Sequence, residues 1–205
     1  RDQTENEVLT ADQLDEEDGE AANEEMLGSI IAQANQLHRS GELRKAEALY
    51  RQVLHFDEDH VIANNLLGLV CIQTRRFDEA LQHIERALKT APDDAQALAN
   101  LGVALQEVGR PEDAARHLEE SLRLAPNVPR VLNNLGSIYF LLGRASEAIK
   151  CFQESLAVQP GSVEAHFNLG SALLQLRRYE EAVANLEQCV RLRPEFEEGR
   201  NRFEK

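Results

Sequence analysis

Asn100, Asn134 and Asn168 recur at an interval of 34 residues. An asparagine amide both donates and accepts, so a row of them can grip the N–H and C=O groups of an extended peptide whatever its side chains. On helices standing about 10 Å apart, successive amides would match about three extended residues at ~3.3 Å each. Asn65, Asn133, Leu69, Val103, Phe140 and Phe167 fall in positions that share this face. The two phenylalanines suit either apolar anchoring of a ligand side chain or packing within the core. The asparagines suit either ligand capture or bonds to water.

Other residue types capable of chemistry are not arranged for it. His83 and His117 share one position of the interval, but the matching positions hold Cys151 and Asn185. No third ligand converges with them, so no metal is expected. No Ser/His/Asp or Cys/His set carries a supporting motif, and no glycine-rich loop follows a strand. No catalytic residue and no cofactor is therefore expected. Cys71, Cys151 and Cys189 are odd in number and fall in helical positions, which suits small core residues rather than a disulfide framework. Cys71 and Cys189 read as buried and Cys151 as nearer the surface.

The elements that position these residues repeat with them. Gly68, Gly102, Gly136 and Gly170 are 34 residues apart, as are Ala80, Ala114, Ala148 and Ala182, and Pro92, Pro126, Pro160 and Pro194. Large apolar residues recur at Ile84, Leu118, Phe152 and Leu186, and small ones at Ala87, Ser121, Ser155 and Cys189. A fixed period of this length signals a stacked array whose units bury their apolar faces only against neighbours. Apolar spacing in Leu98, Leu101, Ala104 and Leu105 predicts a first helix near Ala95–Val108, and a second follows near Glu112–Leu124. A mid-helix glycine costs about 1 kcal/mol relative to alanine. Close approach of the second helix at its small residues is the expected compensation.

These residues resemble the tetratricopeptide repeat (TPR), a 34-residue helix–turn–helix unit. Four units match closely, at 61–94, 95–128, 129–162 and 163–196, and a weaker one precedes them at 27–60 with Gln33 for leucine and Glu58 for proline. The resemblance implies an all-α fold, a right-handed TPR solenoid with the first helix of each unit lining the concave wall. It also implies a protein or peptide ligand. The asparagine row resembles the ladder lining the TPR superhelix of O-linked N-acetylglucosamine transferases. Another TPR class holds acidic chaperone tails in a carboxylate clamp of lysine and asparagine. Here those positions hold Ile31, Asn35, Leu66, Gln96 and Asn100, without a basic residue, so that clamp is not expected.

Residues 1–26 carry −10 of the chain's net −14, which leaves about −4 for the rest. That balance argues against nucleic-acid binding by the array. The acidic segment is poor in aliphatic residues and is expected to be disordered, with a hint of helix near Thr10–Glu17. Arg39, Arg44, Lys45 and Arg130 offer it a weak, salt-sensitive docking surface. No apolar run approaches the ~20 residues of a membrane span. Cysteine usage fits a cytoplasmic setting, with a periplasmic one left open. Residues 197–205 read as the start of a further or capping helix. The function expected is a non-catalytic interaction module, with a substrate-recruiting arm of a larger enzyme such as a glycosyltransferase, or a scaffold that self-associates through its ends, as alternatives.

Overall fold

The computed structural model describes residues 11–193, with side chains from residue 23 onward. Ten helices fill this span: α1 Ala11–Arg39, α2 Leu43–Phe56, α3 Val61–Gln73, α4 Phe77–Thr90, α5 Ala95–Glu107, α6 Pro111–Leu124, α7 Pro129–Leu141, α8 Ala145–Val158, α9 Val163–Gln175 and α10 Tyr179–Leu192. They pair in order into five hairpin units, α1/α2 to α9/α10. The second helix of the third unit begins one residue earlier than the apolar pattern predicts, because Pro111 serves as the first residue of α6.

Each helix boundary has a local cause. Asp94 caps α5 by accepting from the N–H groups of Gln96 and Ala97, and Ser162 caps α9 by accepting from Ala165. The first helix of every unit stops at a residue of positive φ: Gly41, Arg75, Gly109, Gly143 and Arg177. The following residue returns its N–H to a carbonyl five back, as in Arg110 N–H to Leu105 O at 2.9 Å and Arg178 N–H to Leu173 O at 2.9 Å. This is the Schellman closure, which favours glycine at the left-handed position. Two units close it with arginine instead.

An ion pair then opens each second helix. Arg76–Glu79, Arg110–Asp113, Arg144–Glu147 and Arg178–Glu181 are spaced i,i+3, and the first unit reverses the signs with Glu42–Lys45. Exposed pairs of this kind contribute about 0–1 kcal/mol each. Between the first two units the charges form a ring, in which Arg76 bonds Glu47 through both terminal nitrogens at 2.8 Å, and Arg51 bridges Glu47 and Glu79.

Packing within a unit corrects one sequence expectation. The mid-helix glycines do not chiefly clear space for the small residues of the second helix. A Cβ on Gly136 would lie 2.6 Å from Cε1 of Phe152, and one on Gly102 would lie 2.7 Å from Cγ of Leu118. Gly68 meets Ile84 and Gly170 meets Leu186 in the same way. The glycine thus seats the large side chain, and burying a residue such as Leu118 contributes about 1.5–3 kcal/mol. The small residues have another task. Ser121 Oγ donates to Ala95 O at 2.7 Å and Ser155 Oγ to Pro129 O at 3.0 Å, fastening each second helix to the start of the first.

Across units, one apolar core runs from Ala34 to Ala182, and Leu27, Ile31, Val53 and Ala63 form a small cluster at the N-terminal end. First helices touch in succession, α3 to α5, α5 to α7 and α7 to α9, whereas successive second helices approach less closely. The first helices therefore form the inner wall of the solenoid. The backbone of α1 is helical from Ala11, in a stretch where alanine and glutamate are good helix formers. Residues 1–10 and the expected helix at 197–205 lie outside the described residues. No described helix is long and apolar enough to cross a membrane.

Candidate peptide-binding groove

The inner wall carries all nine residues singled out from the sequence, but in different states. Asn100 on α5 is 0 % exposed. Its amide nitrogen donates to Asn65 Oδ1 on α3 at 2.8 Å, and its Oδ1 accepts from Gln96 Nε2 at 3.0 Å. The same bond recurs two units on, where Asn168 Nδ2 donates to Asn133 Oδ1 at 3.2 Å. Asn133 in turn donates to Glu164 at 2.8 Å. Both amide pairs link positions 35 apart, from the fifth position of one unit to the sixth of the next.

Asn134 breaks this series. The residue 35 positions before it is Ala99, which has no amide to offer. Asn134 is half-buried, and no hydrogen bond reaches its side chain among the described residues. The row of three asparagines therefore divides into a structural pair member (Asn100), a half-buried member whose nitrogen is engaged (Asn168), and one with both amide atoms idle. The repeating column alone does not reveal this division, because the deciding residue sits in the adjacent column of the preceding unit.

Apolar residues complete the wall. Phe140 is 37 % exposed, and Leu69, Val103 and Phe167 are half-buried. Leu66 and Leu69 line a cleft of ≈ 490 Å³ between the first and second units, together with Asn35, His38, Arg39 and Gln73. Of these, His38 and Gln73 were missed in the sequence, where neither belongs to a repeating column. In the cleft His38 Nε2 lies 2.9 Å from Gln73 Oε1, and Tyr50 donates to Asn35 Oδ1 at 2.8 Å. A second cleft of ≈ 500 Å³ lies beside Phe167, Glu164 and Arg193.

The remaining candidates are structural. His83 Nδ1 lies 3.0 Å from Asn64 Oδ1, and His166 Nδ1 lies 2.9 Å from Asn185 Oδ1. These are the same two positions of the hairpin with the residue types exchanged. Burial pushes the pKa of His83 and of His117 below the ordinary histidine value. No group of metal-ligating side chains occurs among the described residues. All three cysteines are buried, Cys151 included, against the expectation that it lies nearer the surface. It belongs to the common core with Ile149, Phe152 and Tyr139. Burial pushes each thiol up to about 11, which suppresses the thiolate.

Comparisons with known proteins agree with the helical-repeat fold. Residues 58–127 and 127–195 match the family described as tetratricopeptide repeat. Among solved structures, YrrB, described as a TPR protein with an unusual peptide-binding site, superposes with a TM-score of 0.70 at 23% identity, covering 86% of this chain and 91% of that one. Pseudomonas aeruginosa pilF superposes with a TM-score of 0.75 at 23% identity, covering 83% and 78%. TTC0263, a thermophilic TPR protein of Thermus thermophilus, gives 0.69 at 20% identity, covering 86% and 96%. At these identities the likeness is one of fold. No curated protein sequence matches the chain. With two adjoining matches spanning 58–195, more than half of its length, the chain belongs to the tetratricopeptide repeat family.

Proposed function

We propose that the chain is a non-catalytic protein-interaction module that takes an extended peptide or a partner helix along the wall of first helices. The observation that carries this reading is the idle amide of Asn134, on a wall that also presents Phe140, Val103 and Leu69. A few backbone hydrogen bonds contribute about 0.5–1.5 kcal/mol each, so affinity for a plain extended peptide should be about micromolar. A library of labelled ten-residue peptides, titrated against the full chain by fluorescence anisotropy, tests the reading. The best binder should lose about tenfold in affinity on N134A, with the helical circular dichroism unchanged. Affinity that survives N134A together with N168A would remove the asparagines from the site.

A further inference from the structure

We infer that the N-terminal end of the inner wall is a subsite for a cationic peptide, one that seats a large apolar side chain over Gly28 with lysine or arginine beside it. This rests on the groove reading above and names the kind of peptide the groove prefers. Leu27, Gly28 and Ile31 of α1 and Ile62 of α3 line a cleft of ≈ 340 Å³. That size lies at the low end for ligand sites and suits one or two side chains. Two features of the cleft have no internal explanation. The first is Gly28, in the interior of α1, where glycine weakens a helix. Gly68, Gly102, Gly136 and Gly170 offset that cost by seating Ile84, Leu118, Phe152 and Leu186. A Cβ on Gly28 would meet nothing within 4 Å, so no described side chain fills the opening it keeps. The second is Ile62, which is 52% exposed where the next three units place the polar Gln96, Arg130 and Glu164. With the buried Leu27 and Ile31 it gives the cleft an apolar lining open to solvent, the kind of surface that marks a contact site.

Charge selects the occupant. The polar part of the lining is Glu24, Asp57 and His60, with no lysine or arginine. Neither carboxylate joins an ion pair among the described residues. Asp57 Oδ1 accepts from the Asp59 N–H at 3.1 Å, which leaves its second oxygen for a cation. His60 Nδ1 is taken up in accepting from the Ala63 N–H at 3.3 Å. The nearby Glu58 and Asp59 are already held by Arg86. Residues 1–26, which carry −10, lead into this end of α1 and add to the negative potential around the cleft. A lysine or arginine can lay its methylenes along apolar surface while its charged end reaches a carboxylate. A large apolar residue flanked by such side chains therefore matches both the lining and the rim, whereas an acidic peptide is repelled.

The test uses the full chain and three labelled ten-residue peptides of one alanine- and serine-rich sequence, acetylated and ending in an amide. One carries a central leucine between two lysines, one the same leucine between two glutamates, and one a central alanine between two lysines. The first should bind about tenfold more tightly than either of the others in fluorescence anisotropy. G28L fills the cleft at a position where a helix gains from losing its glycine. It should remove the leucine preference while its helicity matches that of the parent. E24Q combined with D57N should remove the preference for lysine over glutamate and leave the leucine preference in place. The lysine preference should also shrink as salt rises. Equal binding of all three peptides, tighter binding of the glutamate peptide, or a leucine preference that survives G28L overturns the subsite while the groove reading stands. Binding of no peptide overturns both. Self-association of the full chain in sedimentation, abolished by G28L, would give the cleft to a second copy and overturn its assignment to an outside peptide.

Discussion

The junction between the second and third units and the junction between the third and fourth are built from the same positions and behave differently. At the first, Asn65 and Asn100 bury an amide contact that sews α3 to α5. At the second, Ala99 stands opposite Asn134 across the same step, and the amide is left without a protein partner among the described residues. One side chain in the preceding unit thus converts an asparagine from internal glue to a group available for outside contacts. A repeat column read alone hides this distinction, because hydrogen-bond satisfaction is decided by pairs of columns.

Breaking the buried pair should have the largest effect. Asn100→Ala leaves Asn65 Oδ1 and the Gln96 amide without their partner, and should lower stability by about 1–3 kcal/mol in urea denaturation. Asn134→Ala at the other junction should stay within about 0.5 kcal/mol, so equal losses would erase the comparison. Asn168→Ala, which gives up longer and half-exposed bonds, should fall between them at about 1 kcal/mol. Ala99→Asn sharpens the contrast from the other side. It recreates the pairing of Asn65 with Asn100, and should raise stability by about 0.5–1 kcal/mol while weakening peptide binding as N134A does. A variant that binds peptide as tightly as the parent would show that Asn134 remains available after pairing.

The smallest expected effect is a pH dependence in the second and third units. Burial lowers the folded-state pKa of His83 and His117, so the unfolded chain binds protons more readily than the folded one. Their contribution to stability is complete above the unfolded value of about 6.5 and is lost as pH falls through the folded values. Glu47 adds to the loss further down. Burial acts to raise its pKa, but the hydrogen bonds from Arg76 and the charge of Arg51 outweigh burial and hold it below the ordinary glutamate value. Denaturation midpoints measured from pH 7.5 to 4 should decline by less than the Asn100→Ala change. H83Q should flatten the upper part of that decline, and a midpoint that rises on acidification would contradict the burial of both rings.

The helices were legible in the sequence because their limits are set by hard local rules. Pro111 and Pro129 can only open a helix, Gly109 and Gly143 close one, and Asp94 supplies a cap within three residues of its targets. The large residue facing each glycine was harder to assign. Size complementarity between Gly136 and Phe152 spans two helices, and the alanine column looked equally suited to it. The exchanged pairs Asn64–His83 and Asn185–His166 were invisible to column reading, since neither column keeps one residue type. The state of each wall asparagine was likewise hidden, being decided by a residue 35 positions earlier.

Arg75 and Arg177 stand in the left-handed position that Gly41, Gly109 and Gly143 occupy in the other units. For a side chain with a Cβ that conformation costs roughly 1 kcal/mol, so the hairpins of the second and fifth units close against a small opposing energy that the others lack. The extensive contacts of the array lie within a unit or between neighbours, and in such a chain order spreads outward from whichever hairpin forms first. The third and fourth hairpins, adjacent and both closed by glycine, are therefore the natural starting point. The inner-wall residue Asn134 would then take shape early, and the flanking units would add to a wall already in place.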